Sequence, residues 1–430
     1  MRFYNNPVKE EWPEIMKRPG FDTYELRDKV QEILDHVKSE GDQAVMEFTQ
    51  RFDGVKLSST EVSKEEFNQA EKSCPQELKK AIQVAKNNIE AFHKVQFEEK
   101  KVMETMPGVK CWRKCSPIQK VGLYVPGGSA PLFSTVLMLA IPAQIAGCSE
   151  IVITTPPQKD GSIHHAVLYA AKLCGVTKVV KAGGVQAIAA MAYGTETVPG
   201  VYKIFGPGNQ YVTMAKQLVS FENTAIDMPA GPSEVAVIAD DQVPVSFVAS
   251  DLLAQAEHGS DSQVLLITTS KKLSEEIEEE LDRQLKKLPR AELASKALEN
   301  SSTVYFDSMD EALRFSNEYA PEHLIISASN NVDLGDRITN AGSVFLGNYT
   351  PESAGDYASG TNHSLPTNGY ARNYSGVSVD SFIKKITFQK ISQEGLKNLG
   401  PIVEIMAEAE GLQAHKNAVS IRLEQLNSEG

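Results

Sequence analysis

From Val121 onward, short apolar runs alternate with helix-length segments, and glycine and proline turns join them. Val121-Gly-Leu-Tyr-Val, Glu150–Thr155, Lys178–Lys181 and Tyr202–Phe205 read as strands, and Ser134–Gly147, His165–Gly175, Val185–Tyr193 and Asn209–Leu218 as the helices that follow them. Strands separated by helices do not pair as hairpins; they form a parallel sheet with helices on both faces. A second alternation starts at Ser233-Glu-Val-Ala-Val-Ile-Ala. It continues through a helix ending at His258, the strand Gln263–Thr268, the charged helix Ser270–Lys287, the strand Thr303–Phe306, the helix Met309–Tyr319, and the strands Leu324–Ser327 and Ser343–Leu346. The fold class is therefore α/β with two parallel-rich units. A length of 430 residues agrees, since it exceeds what one hydrophobic core usually supports.

The flanks are less regular. Residues 1–22 read as irregular and proline-rich. Helices are predicted over Thr23–Glu40, with a polar cap ahead of Tyr24, and over Asp42–Phe52, Ser63–Lys72 and Pro75 to about Val95. Asn348–Asn373 reads as a long loop without a period, and Leu412–Leu426 as the last helix. A formal net charge of -13 argues against a nucleic-acid partner, and no apolar run is long enough to span a bilayer. The start MRFYNNPVKEEWPE lacks a signal-peptide core, and five cysteines without paired spacing fit a reducing cytosol, so a cytoplasmic location is expected. Cys111 and Cys115 read as plain thiols.

Ligands of parallel sheets bind at the carboxyl ends of strands, and glycine loops ahead of helices favour phosphate. Pro126-Gly-Gly-Ser, Ala182-Gly-Gly-Val and Phe205-Gly-Pro-Gly-Asn are three such loops. None gives the full G-x-G-x-x-G fingerprint, because Tyr211 holds the last position of the one that Gly206 and Gly208 begin. A dinucleotide site is permitted, not required. Elsewhere, Gln255 and His258 share the last turn of a helix at i, i+3, where a carboxamide oxygen and an imidazole nitrogen could hold a divalent metal. Asp356 in Ser353-Ala-Gly-Asp-Tyr and His415 near the last helix could complete an N/O set suited to zinc or manganese. Glu322-His323 stands at a helix-to-strand junction and suits acid–base work. His36, His93, His164 and His165 show no partner pattern and read as surface residues.

Together these stretches resemble the histidinol dehydrogenase family, from about Tyr24 to Leu426. The blocks that carry the resemblance are VGLYVPGGSAPLFSTVLM, GPGNQYV, DMPAGPSEV, LLAQAEHGSDSQ, APEHL, ESAGDYASGTNHSLPT and EGLQAH, in that order. The resemblance implies one zinc ion per subunit on Gln255, His258, Asp356 and His415. It implies Glu322 and His323 as the catalytic pair, and Ser233, His363 and Glu410 as further residues holding the amino alcohol beside His323 and the metal ligands. Tyr124, Gln186 and Asn209 would lie around NAD. The implied reaction takes L-histidinol, two NAD+ and water through L-histidinal to L-histidine, the last step of histidine biosynthesis; the enzyme would be an NAD-dependent four-electron alcohol dehydrogenase. The implied architecture is two incomplete Rossmann-like domains plus small terminal segments exchanged in a homodimer. The corresponding division is 1–22, 23–120 with 236–376, 121–235 on the NAD side, and a helical 377–430. The metal could position the substrate or polarise its hydroxyl; the resemblance favours positioning. A related dehydrogenase for another alcohol, or a zinc hydrolase in which Glu322 activates a metal-bound water, uses the same residue types.

Overall fold

The computed structural model describes residues 1–19, 23–127 and 130–428; the polar cap expected ahead of Tyr24 and residues 128–129 of the first glycine loop lie outside what it describes. The first alternating stretch closes into a five-stranded parallel sheet. In space its strands run Lys178–Lys181, Glu150–Thr155, Lys120–Tyr124, Lys203–Phe205 and a short Ala225–Ile226. Val121, Leu123, Ile151, Ile153, Val179 and Ile204 are all buried, because helices cover both faces. Numbered along the chain, the order is 3-2-1-4-5, the doubly wound order without its last strand. The order reverses between Lys120–Tyr124 and Lys203–Phe205, and the chain leaves the latter through Gly206 at φ +120°, where a Cβ would lie 2.1 Å from the Tyr124 carbonyl oxygen. Only glycine allows the two strand ends to approach so closely. Buried Lys216 and Asp227 pair and brace this turn: Lys216 Nζ donates to Gly206 O at 2.9 Å, and Gly206 N donates to Asp227 Oδ2 at 2.8 Å.

The second alternation forms a six-stranded parallel sheet in the order Arg2–Asn5, Ser302–Tyr305, Gln263–Thr268, Glu234–Ala239, His323–Ser327, Ser343–Leu346. Without its outermost strand it repeats the 3-2-1-4-5 order. That outer strand comes from the N-terminal segment, expected to be irregular. Its four residues are too few to show a period, and they find order by pairing with Ser302–Tyr305. The turn that follows wedges Trp12 edge-on between Phe306 and Phe315, with ring centroids 5.8 and 5.2 Å away.

Two parts of the expected division are corrected. The helices Thr23–Glu40, Asp42–Asp53, Lys64–Ser73 and Gln76–Lys94 had been grouped with the second sheet. Val30, Leu34, Val37 and Val45 instead share one buried cluster with Val180, Ile188 and Ile204 of the first. Their apolar faces cover helices and strands that would otherwise stand in water. Residues Phe97–Pro117 also leave that group and join Ile383–Gly430 in a separate, smaller compact unit. There Ile383–Ile391, Val109–Pro117 and Val102–Met106 form an antiparallel sheet, with Trp112 stacked on its cross-strand partner Phe388 at 5.6 Å. The C-terminal segment, expected to be helical, thus begins with a strand before its helices Gln393–Ala409 and Gln413–Ser428.

Candidate active site

Helix Met309–Tyr319 ends at Ala320, which takes the left-handed conformation at φ 54°. A non-glycine residue there costs about 1–2 kcal/mol. The turn carries the chain directly into the strand His323–Ser327 with Glu322 and His323 buried, 5% and 4% exposed. Gly342 makes room for this: its Cβ would lie 2.5 Å from the Glu322 carbonyl oxygen. Both functional side chains lean on one residue of the neighbouring strand. Glu234 N donates to Glu322 Oε2 at 3.0 Å, and His323 Nδ1 lies 3.3 Å from Glu234 O. A carbonyl oxygen can only accept, so Nδ1 carries the proton and Nε2 is left as the reactive nitrogen.

Three carboxyl groups surround this imidazole. Nδ1 lies 3.6 Å from Glu322 Oε2 and 3.6 Å from Glu352 Oε1, and Nε2 lies 3.5 Å from Asp356 Oδ1. Glu352 and Asp356 stand at i, i+4 on the short helix Glu352–Tyr357. That helix lies inside the segment read as a featureless loop, which corrects that expectation. Burial pushes the Glu322 and Glu352 carboxyls up to about 8, against the pull of His323. Burial works the other way on His323, but Glu352, Glu322 and Asp356 outweigh it and hold the imidazole well above its ordinary pKa. Burial also opposes ionisation of Asp356, yet His323 keeps it below the usual carboxylate range.

The other expected residues divide into two groups. Helix Val245–Ala256 stops two residues earlier than expected, leaving Gln255 in its last turn and His258 just past it, held by His258 N donating to Gln255 O at 3.2 Å. Gln255 is buried; in the orientation that satisfies its neighbours, its amide donates to Glu352 and its oxygen accepts from Glu234 N at 3.0 Å. His258 keeps an exposed face, while protein crowding lowers its pKa and Asp356 acts in the opposite sense. His363 is engaged at both nitrogens, Nδ1 with Asp356 O at 2.9 Å and Nε2 with Thr135 Oγ1 at 3.1 Å, and burial lowers its pKa. Ser233 directly precedes Glu234 and is half-buried. These residues gather around His323. Glu410 and His415 belong to the smaller unit, where both are exposed.

The donor set suits a divalent cation. Carboxamide, imidazole and carboxylate groups converge here, His323, Glu352 and Asp356 present ligand atoms within 4.8 Å of one another, and His323 Nε2 and Glu352 Oε2 are buried without hydrogen-bond partners among the described residues. The cluster lies at the amino edge of its sheet, since Glu234, Gln263, His323 and Ser343 are the first residues of their strands. The carboxyl-edge rule describes the other sheet. There Tyr124, Gln186 and Asn209 line one cavity of about 910 Å³ with Gly183 and Gly184, at the point where the strand order reverses. Tyr124 Oη accepts from Gly184 N at 3.1 Å, and burial pushes its pKa up to about 12. Asn209 caps helix Gln210–Ser220, accepting from Tyr211 N and Val212 N.

Three residues that matter here escaped the sequence reading. Glu352 could have been found from Pro351 opening a helix with a second acid four residues on. Glu234 is the one charge in an otherwise apolar strand. Arg18 gives no local signal: its guanidinium donates to both Glu234 oxygens, at 2.6 and 3.0 Å, and to Tyr319 O at 2.8 Å, and lies 3.9 Å from the Tyr319 ring centroid. His93, read as a surface residue, is fully buried, with Nδ1 2.8 Å from Ile89 O.

A family model described as histidinol dehydrogenase matches residues 16–423. The chain is 62% identical over 426 residues to a histidinol dehydrogenase of Bacteroides thetaiotaomicron, covering 99% of this chain and 100% of the relative. It is 55% identical over 417 residues to a chloroplastic histidinol dehydrogenase of Arabidopsis thaliana, covering 96% and 89%. The crystal structure of histidinol dehydrogenase from Elizabethkingia anophelis superposes with a TM-score of 0.97 at 54% identity, covering 99% of each chain.

The Arg18–Glu234 pair yields a prediction. Arg18→Met leaves Glu234, 2% exposed, as an uncompensated buried carboxylate and lowers stability by about 3–5 kcal/mol in denaturant unfolding. Adding Glu234→Gln to Arg18→Met recovers most of that loss; a double variant as unstable as the single one would place the effect elsewhere.

Proposed function

This chain belongs to the histidinol dehydrogenase family, an oxidoreductase family of histidine biosynthesis, and from that premise we propose the reaction itself: zinc-dependent, four-electron oxidation of L-histidinol to L-histidine through L-histidinal with two NAD+. The observation that carries this reading is the buried Glu322–His323 pair, bound through one backbone residue and enclosed by Glu352 and Asp356. A four-electron oxidation needs two kinds of proton transfer. In the first, the hydroxyl proton must leave as hydride departs from carbon. His323 takes that proton at Nε2, and the surrounding carboxylates stabilise the imidazolium that results. In the second, the aldehyde must be hydrated. Glu322, raised to about 8 by burial, is a stronger base than an ordinary carboxylate and accepts a proton from the attacking water.

Ser233, His363 and Glu410 orient the amino alcohol, and keeping the aldehyde bound between steps requires several such anchors. Bound zinc, on Gln255, His258, Asp356 and His415, would supply a positive charge that grips the substrate, and NAD+ in the cavity beside Tyr124, Gln186 and Asn209 would accept hydride at each oxidation. The compartment proposed is the cytoplasm, and no described helix is long and apolar enough to cross a membrane.

We also propose a homodimer in which His415 comes from the partner. The smaller unit supports it by its surface: Met103, Ile405, Met406 and Ile421 are each 60–68% exposed, and helix Gln413–Ser428 buries none of its residues.

Three measurements test these readings. Glu322→Gln keeps shape and loses basicity, so in single-turnover kinetics it still converts histidinol to aldehyde while aldehyde oxidation slows by roughly 10²–10⁴; His323→Asn slows the first step by a similar factor. Equal slowing of both steps by Glu322→Gln would join the pair into one acid–base unit. His258→Ala loses most bound metal by elemental analysis, and full occupancy would remove it from the ligand set. Sedimentation of the active protein gives a dimer; an active monomer would end the exchange proposal.

A further inference from the structure

The cavity beside Tyr124 contains two acceptors that no described residue satisfies. Asp53 Oδ2 and Gln186 Oε1 are both buried, and neither has a hydrogen-bond donor among the described residues. Buried acceptors in native proteins are nearly always paired, so two left open in one cavity point to a ligand that brings donors with it. Vicinal hydroxyls of a ribose are such donors.

The cavity also indicates which end of a dinucleotide it suits. None of Glu322, His323, Glu352 or Asp356 lines it, so the ring that exchanges hydride must lie elsewhere. Phe52 and Tyr211 line it with 53% and 40% of their surface exposed, offering an aromatic face to a purine. Dinucleotide folds of this strand order usually present an acid to the adenosine ribose from the end of the second strand. Here that strand runs out as Pro156-Pro157-Gln158-Lys159, and the acid that follows, Asp160, accepts from Ser162 N and Oγ and does not line the cavity. Asp53 reaches the same cavity from outside the sheet, as the last residue of helix Asp42–Asp53.

We infer that Asp53 is the specificity-determining residue for the cofactor: its carboxylate accepts from the adenosine ribose hydroxyls of NAD and repels the 2′-phosphate of NADP. The inference rests on the proposal that this cavity holds NAD. Lys159 is the charge that acts on Asp53 most directly, and Arg51 lines the same cavity. With Asp53 neutralised, Lys29, Arg51 and Lys159 outnumber Glu32, the other acid lining the cavity, and would favour a 2′-phosphate.

The experiment uses the full-length protein, with kcat/KM for NAD+ and for NADP+ measured against L-histidinol and with calorimetric binding of each nucleotide in the absence of substrate. Wild type prefers NAD+. Asp53→Asn lowers the NAD+-over-NADP+ ratio by about ten- to a hundredfold, the worth of one hydrogen bond to a charged group, with the loss for NAD+ falling in KM and in calorimetric affinity. Asp53→Glu retains the charge and keeps the ratio on the NAD+ side, which separates loss of recognition from loss of folding. An unchanged ratio in Asp53→Asn, or a wild type indifferent to the 2′-phosphate, overturns the inference. A wild type that neither binds nor reduces NAD+ overturns the cofactor reading instead.

Discussion

Every strand pairing in the two larger sheets is parallel, and this fixes the polarity of everything attached to them. Each crossover returns through a helix, so helix amino ends collect at the carboxyl edge of a sheet and helix carboxyl ends at its amino edge. The partial charges of helix ends make the first edge favourable to anions and the second to cations. This chain uses one edge of each sheet. The Gly183–Gly184 turn and the Asn209 cap lie at helix amino ends beside the cavity that Tyr124 and Gln186 line. Gln255 and His258 stand at the carboxyl end of their helix, and Glu322 and His323 follow another, where a metal ion and a protonated imidazole gain from the same field. The proposed phosphate-bearing cofactor and metal ion would thus be accommodated by one folding rule applied to opposite edges.

The acid–base centre works against stability. Burying several carboxyl groups around one imidazole costs free energy, and the chain offsets it only in part. Asp356 keeps its charge beside His323, whereas burial pushes Glu322 and Glu352 up to about 8, so their ionised forms cost more and bind a proton more strongly. The compensation that exists runs through Glu234, whose backbone positions Glu322 and His323 while its own carboxylate is neutralised by Arg18. A residue from the first turn of the chain thereby sets the geometry of a pair some three hundred positions later.

Much of this was legible in the sequence, for reasons that also explain what was not. Strands such as Glu150–Thr155 and Gln263–Thr268 emerge with the bounds expected of them, because a strand covered on both faces must be continuously apolar. Thr23–Glu40 emerges as expected because its buried side chains keep helical spacing. What was hidden depends on distant partners. Ile383–Ile391 has no clean alternation, and it is a strand because Val109–Pro117 pairs with it. Arg18 looks like any surface cation until Glu234 is beside it. The blocks resembling the family located Glu322, His323, Gln255, His258 and Asp356, and folding gathers these around one imidazole; Glu352 was passed over because it lay in a stretch whose short helix has no period to read. His415 and Glu410 stand exposed in the smaller unit, and their proposed role rests on the family blocks alone.

The edge strand Arg2–Asn5 registers with Ser302–Tyr305. During synthesis the ribosome therefore delivers the first strand of this sheet long before any surface exists for it to join. Until residue 305 has emerged, those four residues and the Trp12 turn behind them have no docking place, while the helices and strands up to Ile226 can already associate. The order of translation and the order of assembly run opposite ways at this edge: a strand made some three hundred residues before its partner waits for that partner to be placed. Because Arg18 follows closely on that segment, seating it is also the event that neutralises Glu234 and completes the support beneath Glu322 and His323.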